Sequence, residues 1–439
     1  MTRLLLCLGL LAPPDDGLTA VRTARVHTGT GETIEGGVIV LRGGKIVEIR
    51  RDGEIPAGAT VVDASRQVVV PGLIDAHTAL ADEGRDGDAT VAQDVRAVDG
   101  LDFFAPSRRT LAGGVTTVYV SPGSKRLLSG QGAVVKTAGK DPRARVLRET
   151  WGLQVTLGEP SKNPPTVFEP PMRATPDDPI RPARRQYPAS RMGQFAELRR
   201  AAAGPGPLRD RRPTLVVSAH EADDLVKAVL LAEELGTGIV LVDAEEAPAV
   251  ADFLAPRRIP VVLNPGFAPG HREPAPAGDP RGRLDGVAAL VRAGLRVALH
   301  APEDADLREL LFIAAATVRQ GLTRDEALAC VTRAPAEILG VADRVGTIAP
   351  GRDADLVFLS ADLFGPRTAV ERVMIDGAFV YERTAADVQT YRALPESGPR
   401  KDMLAVRGGR VLTATQGVIP DGLVLVENGK VVYVGRGRP

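Results

Sequence analysis

Lys plus Arg equals Asp plus Glu at 55 each, so the chain has no net charge to offer. Nothing in that balance favours nucleic acid or an anionic membrane surface as a partner. No apolar run is long enough to span a bilayer. Cysteine is almost missing, with only Cys7 and Cys330, so no disulfide framework shapes the fold. What remains is a globular mixture, 44% hydrophobic and 25% charged. At 439 residues it exceeds one ordinary core and suits a TIM-type barrel with a small added domain.

Residues 1–14 stand apart. Met1-Thr2-Arg3 is a short basic start, Leu4 to Leu11 is apolar, and Ala12-Pro13-Pro14 ends the run. That is the layout of a secretory signal with an apolar core of about nine residues, and it implies an exported protein, periplasmic or extracellular. The alternative, a buried N-terminal strand, rarely reads as poly-Leu. Cleavage would remove Cys7 and leave Cys330 alone, so no disulfide forms within the chain. In Ala327-Leu328-Ala329-Cys330-Val331 that cysteine reads as a small buried apolar residue.

From Leu18 to Ile49 the pattern is short strands with glycine turns, a hairpin domain. From Val68 onward strands alternate with helices. Val115–Val120, Leu215–Ser218, Ile239–Val242, Val261–Leu263 and Val297–Leu299 are the clearest strands. A helix with apolar residues at Ala222, Leu225, Val226, Val229 and Leu230 is closed by Gly236. Repeated βα units of this kind imply a parallel sheet, and their number favours a closed barrel. Two stretches, Gly158–Arg191 and Pro265–Arg283, are rich in Pro with Arg or Gly and read as long loops. Arg181, Arg184 and Arg185 in the first read as a solvated basic loop, with an anionic substrate as the sharper alternative. Finally, Ala405–Val432 aligns without a gap on Ala20–Val47. The match includes Arg25/Arg410, Gly37/Gly422, Gly44/Gly429 and Lys45/Lys430, which reads as duplication rather than shared hairpin composition.

Pro71-Gly72-Leu73-Ile74-Asp75-Ala76-His77-Thr78-Ala79 strongly resembles the first-strand signature of the amidohydrolase superfamily, P-G-x-I-D-x-H-x-H. Val345-Gly346-Thr347-Ile348-Ala349-Pro350-Gly351-Arg352-Asp353-Ala354-Asp355-Leu356-Val357 resembles the G-x-I-x-P-G-x-x-A-D-L-V segment with which that family re-enters its β-sandwich. Ala219-His220-Glu221-Ala222-Asp223-Asp224-Leu225 is similar to the H-A-H-R-A-D-D-I of an imidazolonepropionase-like, exported subgroup. Gly114-Val115-Thr116-Thr117-Val118 and Gly130-Gln131-Gly132 point to the same subgroup. The resemblance covers roughly residues 20 to 385. It implies an α/β fold, a (β/α)8 barrel over 69–344 inserted in a composite β-sandwich of 18–68 and 345–385. Residues 403–439 would then start a second sandwich copy.

The family's chemistry is hydrolysis of non-peptide C–N bonds in small cyclic amides or amidines, on zinc held by His residues and one Asp. Carried over residue by residue, little of that set survives. His77 is kept, but its partner two residues on is Ala79. The first His of H-A-H is Ser218, the sixth strand ends in Asp243 where the family has His, and the catalytic Asp falls on Pro302. The resemblance therefore implies zinc and a small-molecule substrate, while the residues supply no catalytic base and too few ligands. A residual or shifted site would draw on His77, His220, Asp243 and His300. Against it, residues two apart on a strand differ by about 6–7 Å in height, far for one ion. Lys136 lies where some relatives carry a carbamylated lysine, but the rest of such a bridge is missing and an exposed Lys is the plainer reading. Two functions stay open: an impaired hydrolase, or a non-catalytic module partnering an active amidohydrolase domain or a second copy of itself. From the leader, the mature chain is expected to begin near residue 13. N-terminal sequencing of exported material that still started at Met1 or Thr2 would disprove this.

Overall fold

The structure is a computed structural model that describes residues 17–81, 90–162, 187–265, 286–301, 304–384, 403–413 and 417–436. The leader, Arg181, Arg184, Arg185, Pro302 and nearly all of 265–283 lie outside these residues.

Two sheets carry the fold. The first combines β1 (Thr19–His27), β2 (Thr33–Glu35), β3 (Val38–Arg42), β4 (Lys45–Arg50) and β5 (Thr60–Pro71) from one end of the chain. It adds three strands from much later in sequence, β14 (Leu356–Leu359), β15 (Val370–Ile375) and β16 (Ala378–Glu382). Between these groups run the eight strands of the second sheet: β6 (Leu73–Thr78), β7 (Val115–Val120), β8 (Leu128–Lys136), β9 (Val146–Thr156), β10 (Leu215–Ser218), β11 (Ile239–Val242), β12 (Val261–Leu263) and β13 (Val297–Leu299). The architecture is thus a TIM-type barrel inserted in a composite β-domain. The first sheet curls over itself: Ile46 N donates to Arg352 O and Gly351 N to Ile46 O. Val21, Ile39, Ile46, Val69, Leu356 and Phe358 fill the inside of the curl. A third sheet holds β17 (Leu404–Thr413), β18 (Gly417–Glu427) and β19 (Lys430–Arg436).

The barrel departs from the all-parallel pattern in one strand. β8 runs antiparallel to both β7 and β9. Gly132 on β8 leaves room for the Tyr119 ring; a Cβ there would lie 2.1 Å from its hydroxyl. Helices cover the outside. Ala222–Leu235 buries Leu225, Ala228, Val229 and Ala232, of which Leu225 and Val229 are each worth roughly 1.5–3 kcal/mol. Leu230 turns outward while Leu231 turns inward, so the buried stripe is shifted from the apolar pattern. Gly236 ends the helix at φ 63, a left-handed cap.

No strand ladder joins β13 to β6. The gap is closed by the chain at Cys330–Val331, where Leu299 N donates to Cys330 O and Ile74 N donates to Val331 O. Cys330 is buried at this seam, and burial pushes its thiol pKa up to about 12, consistent with an inert packing residue.

At the opposite end of the barrel, the Pro71-Gly72 corner feeds β5 into β6. A Cβ on Gly72 would sit 2.1 Å from the Thr116 hydroxyl, so only glycine lets the floor strands approach this closely. Lys136 ends β8 on this floor. The expectation of an exposed lysine is corrected here: Lys136 is buried and its Nζ contacts Asp353 at 2.8 Å, Asp355 at 3.0 Å and Asp376 at 2.6 Å. Lys45 and Arg344 also pair with Asp353. Burial opposes the Lys136 charge, but the three carboxylates outweigh it and raise its pKa. Burial chiefly, with the Asp376 charge, pushes Asp355 up to about 6 against Lys136. Replacing Lys136→Met leaves the buried Asp355 without its cation, while Lys45 and Arg344 still pair with Asp353, and is expected to cost about 3–5 kcal/mol in chemical denaturation. Because Asp355 already binds its proton more tightly folded than unfolded, the variant should regain stability as pH falls below 6. An unchanged denaturation midpoint would refute this role.

Candidate functional site

Parallel strands in register bring their C-terminal ends to one rim. Thr156 pairs with Ser218, Ser218 with Val242, and Leu263 with Leu299. Alternation then turns Ile74, Ala76, Tyr119, Val216, Val240, Val242 and Ala298 to the interior. His300 follows Ala298 at the top of the same face. His77 enters the same space because the β6–β7 register shifts between Asp75 and Thr78. The cause is Asp75, which is fully buried. One of its oxygens accepts from His77 N at 3.0 Å and the other from Ala301 N at 2.8 Å. One carboxylate thus sets the backbone beneath both histidines and ties β6 to the end of β13.

His300 is held at both ring nitrogens. Nδ1 lies 2.8 Å from the Ala301 carbonyl oxygen, which can only accept, so Nδ1 carries a proton. Nε2 faces Asp243 Oδ1 at 3.1 Å, in an ion-pair contact rather than an aligned hydrogen bond. An oxygen near each ring nitrogen favours the protonated ring. Burial opposes that charge, but Asp243, Asp75 and the Ala301 carbonyl raise the pKa above the ordinary histidine value. Asp243 in turn accepts from Ser218 Oγ at 2.6 Å. Burial works against its charge too, yet His300 chiefly, with His77 and Ser218, holds its carboxyl well below the usual range. Asp243 ends β11 at φ 55, a left-handed conformation that Asp tolerates better than most residues.

His77 behaves in the opposite way. Its Nε2 lies 3.3 Å from Gln154 Oε1, and its ring sits 5.8 Å from those of Tyr119 and His300. Burial drives its pKa down to about 4; Asp243 resists that shift and His300 adds to it. His77 is therefore neutral at physiological pH, whereas His300 is shifted towards its charged form.

The structure brings His77, Asp243 and His300 together and leaves His220 out. The His220 side chain is 39% exposed and faces Glu245 at 3.3 Å, so the four-residue convergence is corrected to three. The extra two residues of height carry His220 onto the loop after β10, away from the interior. Sequence reasoning passed over Asp75, Gln154 and Tyr119. The first lies inside the quoted signature; the other two are ordinary strand residues whose role depends on neighbours distant in sequence.

Comparison with known proteins agrees with this architecture. A model of the Amidohydrolase family matches residues 287–380. The amidohydrolase tasK of Hapsidospora irregularis is 26% identical over 415 residues, 79% of this chain and 40% of that protein. A dihydroorotase of Anaeromyxobacter sp. is 31% identical over 117 residues, 27% of this chain and 21% of its own length. The chain thus spans well under half the length of these curated relatives. A crystal structure of an amidohydrolase from Thermotoga maritima superimposes with a TM-score of 0.68 at 27% identity, covering 83% of this chain and all of that one. The chain belongs to the amidohydrolase superfamily.

That family generally uses a metal, and the described residues at this mouth do not fit one. Asp243 draws His300 towards its protonated form, and a ring in that form has no lone pair to give a metal. Both Asp243 oxygens are engaged, by His300 and Ser218. Position 79, where the first strand's second ligand would stand, is an exposed Ala. Among the described residues no three His, Cys, Asp or Glu side chains are arranged to hold an ion.

The site makes a direct spectroscopic prediction. At pH 7 His300 should show both ring nitrogens protonated in imidazole 15N spectra, while His77 remains a single neutral tautomer down to about pH 4. The signs follow by linkage. A raised His300 pKa gives stability present below the unfolded value of 6.5 and lost as pH climbs through the folded value. A depressed His77 pKa costs stability as pH falls from 6.5 towards 4. A neutral His300 at pH 7 would overturn the ion pair.

Proposed function

We propose that this barrel keeps the amidohydrolase fold without metal-dependent hydrolysis and serves as a non-catalytic module beside a catalytic amidohydrolase unit. One observation carries the reading: Asp243 and His300 neutralise each other at the barrel mouth. A metal site gathers lone pairs around a cation. Here the cation is the imidazolium itself, and Ser218 occupies the second acceptor of Asp243. Among the described histidines at the mouth, His77 alone stands outside an ion pair, and one imidazole does not hold a catalytic zinc, which takes three protein ligands. On its N-terminal pattern the module is exported.

The other reading, an impaired hydrolase of small cyclic amides, draws on relatives named dihydroorotase and allantoinase, which match 27% and 23% of this chain. It requires an ion that these side chains do not offer. Elemental analysis after dialysis against zinc should find far less than one zinc per chain. Assays with dihydroorotate and allantoin should show no turnover above a protein-free control. Stoichiometric, chelator-resistant zinc would overturn the reading.

A further inference from the structure

The third sheet repeats part of the first, residue pair for residue pair. In the first sheet Ala20 faces Val40 and Val21 faces Ile39; in the third, Ala405 faces Leu425 and Val406 faces Val424. The next hairpin repeats as well. Val38 faces Arg50 and Ile39 faces Ile49, as Leu423 faces Gly435 and Val424 faces Val434. Even the register shift recurs at the equivalent place, between Val40 and Leu41 and between Leu425 and Val426. Left-handed turn residues coincide too: Gly36, Gly43 and Gly44 correspond to Asp421, Asn428 and Gly429.

One neighbour is not repeated. The far edge of β1 is filled by β5, running parallel, with Ala20 beside Val61, Val21 beside Val62 and Val26 beside Val69. Among the described residues β17 pairs with β18 alone. The face that β5 and β14 help to cover in the first sheet is correspondingly open in the third. Val21 and Ile46 are 0% and 1% exposed, whereas their counterparts Val406 and Val431 are 49% and 59% exposed. An open strand edge beside an apolar face is a template for another strand.

We propose that the outer edge of β17 is a docking site for a parallel strand of the β5 type. That strand belongs to a second amidohydrolase unit for which β17, β18 and β19 supply the first strands of the sandwich. The register of β1 against β5 fixes the pairing, and apolar residues of the incoming strand cover Val406 and Val411. A second copy of this chain is a poor occupant, because its β5 is already paired on both edges, by β1 and β14. A parallel partner also needs a long crossover rather than a hairpin, which suits a strand leading into a barrel. The inference deepens the reading of this barrel as a module beside a catalytic unit, but it draws nothing from the mouth.

The test extends the full chain past Pro439 with a copy of its own residues 51–71, the natural connection and β5. Tethering raises the strand's effective concentration to the millimolar range, so weak intrinsic pairing still registers. Amide exchange across 404–413 should slow by about tenfold or more relative to the unextended chain. An extension with Asp at the positions of Val61, Val62, Val69 and Val70 should leave it fast. The proposal fails if the native extension changes nothing, or if 404–413 already exchanges as slowly as 19–27 in the unextended chain. Exchange that slows with protein concentration alone would make a second copy the occupant and also overturn it. Stoichiometric zinc at the mouth would defeat the non-catalytic reading and leave these exchange results as they stand.

Discussion

A lysine with three aspartates joins the two halves of this molecule. Lys136 comes from the barrel wall, whereas Asp353, Asp355 and Asp376 come from the segment that returns the chain to the first sheet. With Lys45 and Arg344 added, three cations meet three anions, so the buried junction is neutral overall. Such a cluster need not raise net stability, because desolvation offsets much of the attraction. Its effect is on geometry. Gly72 N donates to Asp355 O beside it, which fixes where β5 ends and β6 begins. The direction of β6 then decides where His77 emerges, one strand length away at the mouth.

Both ends of the barrel therefore solve a buried-charge problem, by different means. The floor uses long flexible cations that converge on carboxylates from a distant segment. The mouth uses a single imidazolium–carboxylate pair and a serine. The mouth's ion pair is neutral in itself, and the buried Asp75 carboxylate beside it accepts from two backbone N–H groups.

The barrel and the return to strands were legible in the sequence because they rest on local patterns: alternating βα rhythm, the Pro71-Gly72 corner and the Gly351 to Val357 re-entry. Of the four candidate site residues, three meet. His77 and His300 follow from strand position, and Asp243 from the end of β11. His220 failed because two residues of strand rise place it on a loop. Lys136 was misread for a reason local sequence cannot supply, since its partners lie more than two hundred residues away and burial depends on them. Likewise, the antiparallel course of β8 is written only in Gly130 and Gly132, whose meaning requires the Val95 backbone and the Tyr119 ring to be in place.

How an amidohydrolase barrel can lose its ligands and still close follows from what closes it. The seam between β13 and β6 is made by backbone bonds to Cys330 and Val331. Asp75 adds a second tie, accepting from His77 N and Ala301 N. None of these groups is a candidate metal ligand. A ligand position can therefore change to Ala79 or Ser218 without opening the barrel, provided the charges that remain are matched. Asp243 without a cation would be a buried, uncompensated carboxylate, and His300 without Asp243 would lose the partner that keeps it charged. Each constrains the other, so replacing either one alone leaves the other's charge unmatched. The contacts that close this barrel are thus distinct from the side chains at its mouth.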